Sequence, residues 1–267
     1  MKICLQENLL PGDSLNEKLD FAESLNVEGL EIQRRPTADH IPEYEKALEG
    51  RQIKIVAICG NPTFNFLNPD RKLREESIAL SKINLDVIGH FGGIGQIVPP
   101  IFGPPLLPDL SPLIDPIELE YKMMTPIAQE LAAYAAERGT NFLMEPLNRY
   151  EQHFLKTQAE GARVIEEAGN PEGIGLLSDF FHMHIEETST PDTFRKYGKY
   201  TKHVHMADNT RKQPGSGDID FEAGLGALKE IGYDGYLSWE CGLLGDPKEA
   251  LTNSVKFVRD VLQKIGA

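Results

Sequence analysis

The segment Asn141-Phe142-Leu143-Met144-Glu145 is a short apolar run that ends in a carboxylate. Three later runs have the same form and also end in a side chain that can ligate a metal: Ile174–Asp179, His203-Val204-His205 and Tyr236-Leu237-Ser238-Trp239-Glu240. Successive runs are separated by about 30 residues, the length of one strand–helix unit. Because parallel strands of a barrel all end on one face, Glu145, Asp179, His205 and Glu240 are expected to meet there.

The rest of the chain repeats this alternation of strand and helix. Further strands are predicted at residues 2–5, 27–32, 53–58 and 94–98. Helices are predicted at residues 15–25, 42–48, 70–90, 116–138, 157–168, 191–197, 221–231 and 247–264. The pattern predicts an α/β fold, a single (β/α)8 TIM barrel in which residues 1–267 form one domain. A doubly wound open sheet is the alternative, but its ligands gather at one switch point and do not follow four successive strands.

Local signals mark two helix starts and one long loop. The segments Asp115-Pro116-Ile117-Glu118 and Asp246-Pro247-Lys248-Glu249 combine a capping aspartate, a proline at the first helical position and a glutamate two residues later. Residues 99–116 contain seven prolines. They are expected to form a loop after the fourth strand, where such loops shape a substrate pocket.

Composition narrows the classes of function. The net charge of −14 disfavours binding to nucleic acid or to anionic membranes. No apolar run reaches the length of a transmembrane helix, and the first residues do not resemble a signal peptide. Cys4, Cys59 and Cys241 are widely spaced, so free thiols and a cytoplasmic location are expected.

The four strand-end side chains predict a metal site. Three carboxylates and one imidazole provide oxygen-rich ligation with open positions, which suits Mn²⁺ or Mg²⁺. Pro146 strengthens the prediction for Glu145, because a residue that precedes proline favours extended backbone.

The same region resembles a known family. The segment Glu145-Pro146-Leu147-Asn148-Arg149-Tyr150-Glu151 looks like the signature of the D-tagatose/D-psicose (ketose) 3-epimerases, which belong to the xylose-isomerase-like TIM barrel superfamily. Residues 179–187, 203–211 and 239–240 resemble the other motifs of that family, in the same order. The specific resemblance covers residues 141–240, and the N-terminal half agrees only in its strand–helix rhythm.

The resemblance implies a reaction and a role for each residue. A small free sugar, a ketose, would be epimerised at C3 through a metal-stabilised cis-enediolate, with Glu145 and Glu240 as the acid/base pair. One divalent ion, Mn²⁺ by expectation with Mg²⁺ or Co²⁺ as alternatives, would be bound by Glu145, Asp179, His205 and Glu240. The residues implied around the substrate's O1/O2 end are Glu151, His182 and Arg211. Barrels of this kind also suggest a homodimer or homotetramer.

Other interpretations remain open at this point. An aldose–ketose or hydroxypyruvate-type isomerase would use the same enediol chemistry, with proton transfer between C1 and C2. An abasic-site endonuclease of the endonuclease IV type would need more metal ligands and a basic groove. A non-catalytic sugar-binding barrel would retain its sugar without turnover. A phosphorylated sugar is a further alternative, because Arg34 and Arg35 can hold a phosphate.

Neighbouring residues are assigned by strand alternation and position. His203 is expected to point into the barrel one layer below the metal, as a hydrogen-bonded core histidine, and Trp239 to pack against the helices on the opposite face from Glu240. Asp208 is expected to shape the loop after the seventh strand, and His153 to lie at the surface. The candidates for the pocket mouth are Glu7, Asn8, Glu31, Gln33, Arg34, Arg35, Asn61 and Phe64 to Phe66.

Overall fold

A computed structural model of the chain describes residues 1–33, 38–59 and 64–267. In these residues eight parallel strands pair in sequence order, and the last pairs with the first to close a barrel. The strands are β1 (Lys2–Gln6), β2 (Gly29–Ile32), β3 (Lys54–Ile58), β4 (Gly95–Val98), β5 (Asn141–Met144), β6 (Ile174–Asp179), β7 (Thr201–Met206) and β8 (Tyr236–Trp239). The predicted barrel is therefore confirmed.

Helices surround the barrel and connect its strands. They are α1 (Leu15–Ser24), α2 (Ile41–Leu48), α3 (Arg71–His90), α4 (Pro116–Ala136), α5 (Gln158–Glu167), α6 (Phe180–Glu186), α7 (Thr190–Tyr197), α8 (Phe221–Glu230) and α9 (Pro247–Ile265). In the part of the chain that is described, none of them is both long and apolar enough to span a membrane.

Helix α6 is an α-helix that the sequence pattern did not indicate. It begins directly after β6 because Oδ1 of Asp179 accepts hydrogen bonds from the backbone N–H groups of Phe181 and His182, at 2.7 and 3.3 Å. A helix of only two turns is too short to show a clear amphipathic period. The connection from β6 to β7 therefore contains two helices, α6 and α7, where one was predicted.

The predicted helix starts are confirmed by their caps. Oδ1 of Asp115 accepts from the backbone N–H of Ile117 at 2.9 Å, and Oδ1 of Asp246 accepts from that of Glu249 at 3.1 Å. Helix α4 ends at Ala136, two residues earlier than predicted, because the chain turns out of the helix before Gly139, whose φ is 65°. Glycine adopts a positive φ at little steric cost, so this position ends the helix.

The interior of the barrel supports the face on which the candidate site lies. A buried cluster of inward side chains includes Cys4, Ala57, Ile97, Leu143 and Leu177, from five different strands. Leu143 and Leu177 each stand two residues before a predicted site residue and so point to the same side of their strands. Trp239 points outward as predicted, and its Nε1–H donates to Oγ of Ser254 in α9 at 2.8 Å.

Residues 99–115 form the predicted loop, and a half-buried histidine anchors its first part. The backbone of Gly103 donates to the carbonyl of Glu151 at 2.7 Å. The carbonyl of Gly103 lies 2.8 Å from His153 Nδ1, and Oε1 of Glu120 lies 2.6 Å from His153 Nε2. Both partners are acceptors, so both ring nitrogens carry hydrogen. The prediction of a surface position for His153 is wrong, because its side chain is only 14% exposed.

Replacing His153 by glutamine is expected to lower the free energy of unfolding by about 1.5–3 kcal/mol at about pH 5.5, the usual contribution of hydrogen bonds to a charged group. Burial alone would lower the pKa of His153, but Glu120 and the Gly103 carbonyl raise it above its ordinary value. The stabilisation is therefore complete below the unfolded pKa of about 6.5 and is lost as pH rises through the folded pKa. Denaturant unfolding at several pH values measures the difference between the two chains.

His90→Gln is the matched control for this experiment. His90 also contacts a carboxylate, that of Glu45 at 3.0 Å, but its side chain is 44% exposed. Exposed pairs of this kind contribute about 0–1 kcal/mol, so only a small effect is expected. An equal destabilisation by His153→Gln at acid and alkaline pH would show that the charge of the imidazole is not the source of the stability.

Candidate active site

The four side chains predicted to bind a metal lie together at the carboxyl ends of the strands. Each offers a ligand atom, and these atoms all lie within 4.8 Å of one another. Nδ1 of His205 is 2.9 Å from Oε2 of Glu240, 3.5 Å from Oε1 of Glu145 and 3.8 Å from Oδ2 of Asp179. Side chains from four successive strand ends therefore converge on one point, as the spacing of the runs predicts.

Strand register produces this convergence. Asp179 and His205 are direct partners across β6 and β7. The backbone of Glu145 extends β5 by donating to the carbonyl of Val98 at 3.0 Å, and Glu240 extends β8 by donating to Met206 at 3.3 Å. Because side chains alternate along a strand, each of the four points into the barrel mouth.

The donor set fits a divalent cation. Oε1 of Glu145 and Nδ1 of His205 are both buried without a hydrogen-bond partner, although they lie only 3.5 Å apart. A buried polar atom without a partner is costly, and a cation between the two atoms would remove that cost. Oδ1 of Asp179 is occupied in capping α6, which leaves Oδ2 directed at the cluster. The described residues thus contain a candidate site for one divalent metal.

The two glutamates of the cluster differ in the direction in which their surroundings shift the pKa. Burial and the charge of Glu240 raise the pKa of Glu145 well above its ordinary value. Burial would also raise the pKa of Glu240, but His205 and Arg211 lower it well below the usual range. The two carboxyl groups of the cluster therefore lie in unlike electrostatic environments, as acid/base catalysis by two carboxylates requires.

Glu31 lies beneath this cluster and not at the pocket mouth where it was predicted. Its side chain is fully buried, and its carboxylate accepts from Nε2 of His203 at 2.8 Å and from Nε2 of His205 at 3.1 Å. Nε2 of Gln6 donates to it at 2.7 Å. The prediction that His203 is a hydrogen-bonded core histidine one layer below the site is confirmed by its contact with Glu31. One sign in the sequence that Glu31 contacts the two histidines is a charged residue among the apolar residues of β2.

His182 borders the cluster on the side of α6. It is 2% exposed, so it does not face solvent. Nδ1 accepts from the backbone N–H of Asn148 at 3.2 Å, and the side-chain amide of Asn148 lies 2.8 Å away. Nε2 therefore carries the hydrogen, and it lies 3.9 Å from Oδ2 of Asp179. Burial lowers the pKa of His182, so the ring is a neutral donor directed towards the cavity.

Arg211 and Glu151 stand on the other sides of the cavity. The guanidinium of Arg211 donates to Oδ2 of Asp179 at 2.6 Å and also to Oε2 of Glu240. It stacks over the ring of Phe181, 4.9 Å from the ring centre, and its backbone has a φ of 56°. Glu151 is 44% exposed and accepts from the side-chain amide of Asn148 at 2.8 Å. All three residues implied for the substrate thus border the same space.

This space is a cavity of about 130 Å³ with one charged and one apolar side. The charged side is formed by Glu145, Glu151, His182, Arg211 and Glu240. The apolar side is formed by Phe64, Ile97, Pro99, Phe102 and Leu147, with the thiol of Cys59 between the two. The Cys59 thiol donates to Oε1 of Glu240 at 3.4 Å. The sequence pattern did not indicate Cys59 or Phe102, because neither stands in a motif.

The other candidates for the pocket mouth have different places. Glu7, Asn8 and Gln33 border a separate cavity together with Lys18. Phe64 lines the site, whereas Phe66 is buried and stacks on it with ring centres 5.2 Å apart. Arg34, Arg35 and Asn61 lie outside the described residues. Asp208 has the structural role that was predicted, since its carboxylate accepts from the backbone N–H groups of Asn209, Gly215 and Ile219.

Comparison with known proteins agrees with the fold and the motifs. The chain is 29% identical to 3-dehydro-D-guloside 4-epimerase of Escherichia coli over 97% of this chain and 99% of the relative. It is 36% identical to L-ribulose 3-epimerase of Methylomonas over 50% of this chain and 46% of that enzyme. It is 38% identical to D-psicose 3-epimerase of Agrobacterium fabrum over 41% of this chain and 38% of that enzyme. The matched stretches thus span less than half the length of these two ketose 3-epimerases.

Structural comparison gives the same result. The crystal structure of an E. coli 3-keto-D-glucoside 4-epimerase matches with a TM-score of 0.87 at 29% identity, over 97% of this chain and 99% of that one. These relatives are sugar epimerases, so the predicted resemblance to the ketose 3-epimerases is confirmed. A family model for xylose isomerase-like TIM barrels matches residues 19–261. With a closed eight-stranded barrel over the described residues and a match of that length, the chain belongs to the xylose isomerase-like TIM barrel family.

Proposed function

We propose that the protein is a metal-dependent sugar epimerase that inverts a carbon beside a ketone. The observation that carries the proposal is the pair of Glu145 and Glu240, which line one cavity and come from opposite ends of the four-residue cluster, with surroundings that shift their pKa values in opposite directions. Inversion requires removal of a carbon-bound proton on one face and return of a proton on the other. Two carboxyl groups in unlike protonation states supply a base and an acid for these steps.

Each side chain of the cavity has its own role in the proposed reaction. The carboxylate of Glu240 removes the proton in one direction of the reaction, and the carboxylic acid of Glu145 returns one on the opposite face. In the reverse direction the roles exchange. Strands β6 and β7 separate the strands that carry the two glutamates, which supports an approach from different sides. His182 and Arg211 donate hydrogen bonds to substrate oxygens, and Glu151 accepts from a hydroxyl.

Glu145, Asp179, His205 and Glu240 would bind the metal. When bound, a divalent cation supplies Lewis-acid polarisation of the substrate carbonyl and stabilises the negative charge that develops on the enediolate. We propose Mn²⁺, with Mg²⁺ or Co²⁺ as alternatives, because three carboxylates and one imidazole form an oxygen-rich set. Thiolate ligands, which would favour zinc, lie outside this set.

Two substrate classes suit this chemistry. The first is a free 2-ketose inverted at C3, as the resemblance of residues 145–151 implies. The second is a 3-keto-glycoside inverted at C4, and it is favoured by the relative that matches over 97% of this chain, a 3-dehydro-D-guloside 4-epimerase. In both classes the carbon that is inverted carries a hydroxyl and adjoins the carbonyl. An aldose–ketose isomerase remains the alternative within the same enediol chemistry.

Proton exchange in D₂O tests the proposal. The Mg²⁺-loaded enzyme, chosen to avoid paramagnetic broadening, is incubated with fructose, tagatose, psicose, ribulose, xylulose, hydroxypyruvate and a methyl 3-keto-glucoside, and the products are followed by NMR. Deuterium at C3 with a new ketose epimer establishes the first class. Deuterium at C4 with a new glycoside epimer establishes the second. Deuterium at C1 or C2 with an aldose or semialdehyde product would contradict epimerisation and assign an isomerase.

Replacing Arg211 by alanine is expected to reduce kcat/KM by roughly 10–100-fold, mainly through a higher KM, because a charged hydrogen bond contributes about 1.5–3 kcal/mol. Steady-state kinetics on the substrate identified by exchange measures this effect. Arg195→Ala is the control, since that arginine lies on α7 and pairs with Glu230 and Asp192 at the surface. An unchanged KM for Arg211→Ala would remove this residue from the substrate site.

A further inference from the structure

Glu31 is a fully buried carboxylate to which the proposed reaction gives no role. Its two oxygens accept hydrogen bonds from three side chains: Gln6 at 2.7 Å, His203 at 2.8 Å and His205 at 3.1 Å. A buried charge is costly unless it is paired and hydrogen-bonded. The three donors compensate that cost, so the carboxylate of Glu31 is fully hydrogen-bonded inside the barrel.

The contact with His205 determines which ring nitrogen faces the cluster. Nε2 of His205 points at Glu31, and Nδ1 points at Glu240, Glu145 and Asp179. Because a carboxylate accepts hydrogen bonds, Nε2 is engaged as a donor to Glu31, and Nδ1 is the ring nitrogen that faces the position of a cation. Oxygen atoms of Glu31 also restrain rotation of the ring, since both of them lie 3.1 Å from Nε2.

This arrangement crosses the interior of the barrel. Glu31 belongs to β2 and His205 to β7, and strands β8 and β1 lie between them in the sheet. The two side chains are 174 residues apart in the chain and meet only because the barrel closes. The imidazole is consequently held between a carboxylate below it and the three carboxylates of the metal cluster above it.

We propose that Glu31 is a positioning residue that holds His205 in its metal-binding orientation and thereby sets the affinity of the site for a divalent cation. This inference rests on the proposed function, because it requires His205 to be a metal ligand. Outer carboxylates that orient a metal-binding histidine commonly change metal affinity by about 10–100-fold when they are removed. Glu31 is not itself placed among the four ligands that meet at the cavity.

Manganese binding without any sugar tests the inference. The metal-free protein and its Glu31→Gln variant are titrated with MnCl₂, and free Mn²⁺ is quantified from its six-line electron paramagnetic resonance signal. Glutamine preserves the volume of the side chain but accepts fewer hydrogen bonds and carries no charge. We expect the dissociation constant to rise by about 10–100-fold and the spectrum of bound Mn²⁺ to broaden, because His205 becomes free to turn.

His203→Gln is the matched control. His203 shares Glu31 with His205 and is equally buried, but it offers no atom to the four-ligand cluster. If Glu31 acts through His205, the His203→Gln variant should bind manganese with an affinity near that of the unchanged chain. A purely structural role of the buried pair would weaken manganese binding equally in both variants, and that result would overturn the inference.

A second variant at the same position keeps the inference testable if Glu31→Gln does not fold. Glu31→Asp retains the charge but shortens the side chain by one methylene, so its carboxylate loses reach towards Nε2 of His205. We expect weaker manganese binding with thermal unfolding close to that of the unchanged metal-free chain. Unaltered affinity in a folded Glu31 variant would overturn the inference alone. Absence of manganese binding by the unchanged chain would overturn both the inference and the proposed metal site.

Discussion

Replacing Glu145 or Glu240 by glutamine is expected to abolish epimerisation while the barrel stays folded. Each variant lacks one of the two groups that move protons, and a positioned acid or base contributes about 10²–10⁴-fold to rate. Both residues also belong to the candidate metal cluster, so the measured loss is expected at or beyond the upper end of that range. Turnover is followed by NMR on the substrate identified by exchange, with circular dichroism as the check on folding.

Deuterium exchange in the same variants separates the two proton transfers. A variant that retains the base on the face of the substrate hydrogen can still exchange that hydrogen, although it cannot complete inversion. We therefore expect exchange without epimerisation in one of the two variants for a given epimer. Glu222→Gln is the control, because Glu222 lies at the surface on α8 and pairs with Lys264. Near-normal turnover in Glu145→Gln or Glu240→Gln with verified metal content would exclude the two-carboxylate mechanism.

Removal of the divalent metal is the second change with a large expected effect. Prolonged dialysis against a chelator should reduce turnover to background, and addition of Mn²⁺ should restore it. The cluster of three carboxylates and one histidine would then contain unpaired buried groups, so thermal stability should fall as well. A ligand at 100 times its dissociation constant stabilises the folded state by about 2.7 kcal/mol, which thermal unfolding with and without Mn²⁺ can detect.

The set of metals that restores activity tests the donor set. Mn²⁺, Mg²⁺ and Co²⁺ suit oxygen-rich ligation, so each should restore turnover and raise the unfolding temperature. Asp179→Asn tests the donor set from the side of the protein, because it removes the charge of a carboxylate whose Oδ2 points into the cluster. Oδ1 of Asp179, which caps α6, is an oxygen that asparagine retains. Full turnover in protein shown by elemental analysis to be free of metal would refute the metal-dependent proposal.

The apolar side of the cavity bears on the choice between the two substrate classes. Phe102 lies at the edge of the apolar side and is 41% exposed, whereas Phe64 and Ile97 are buried parts of the same side. The loop that carries Phe102 is anchored to Glu151 and His153 through Gly103, so this side keeps a defined position relative to the charged side. A substrate can therefore place its reacting carbons at the carboxylates and a less polar part against Phe102.

Much of the candidate site was predictable because its signals are local. Glu145, Asp179, His205 and Glu240 each end an apolar run, and the helix caps at Asp115 and Asp246 are confirmed. Residues whose role depends on a distant partner were not predictable. Glu31 was assigned to the pocket mouth, and His153 to the surface, because neither Glu31 with His205 nor His153 with Glu120 is marked by spacing in the chain.

The sequence by itself determined the order of the eight strands, their alternation with helices apart from α6, and the face on which four ligands gather. These properties follow from alternation within short segments and from the common direction of parallel strands. Only the tertiary structure decided which nitrogen of His205 faces the cluster, which groups surround each glutamate and where the apolar side lies. These properties depend on burial and on distances between groups far apart in the chain, and electrostatic interactions are sensitive to both.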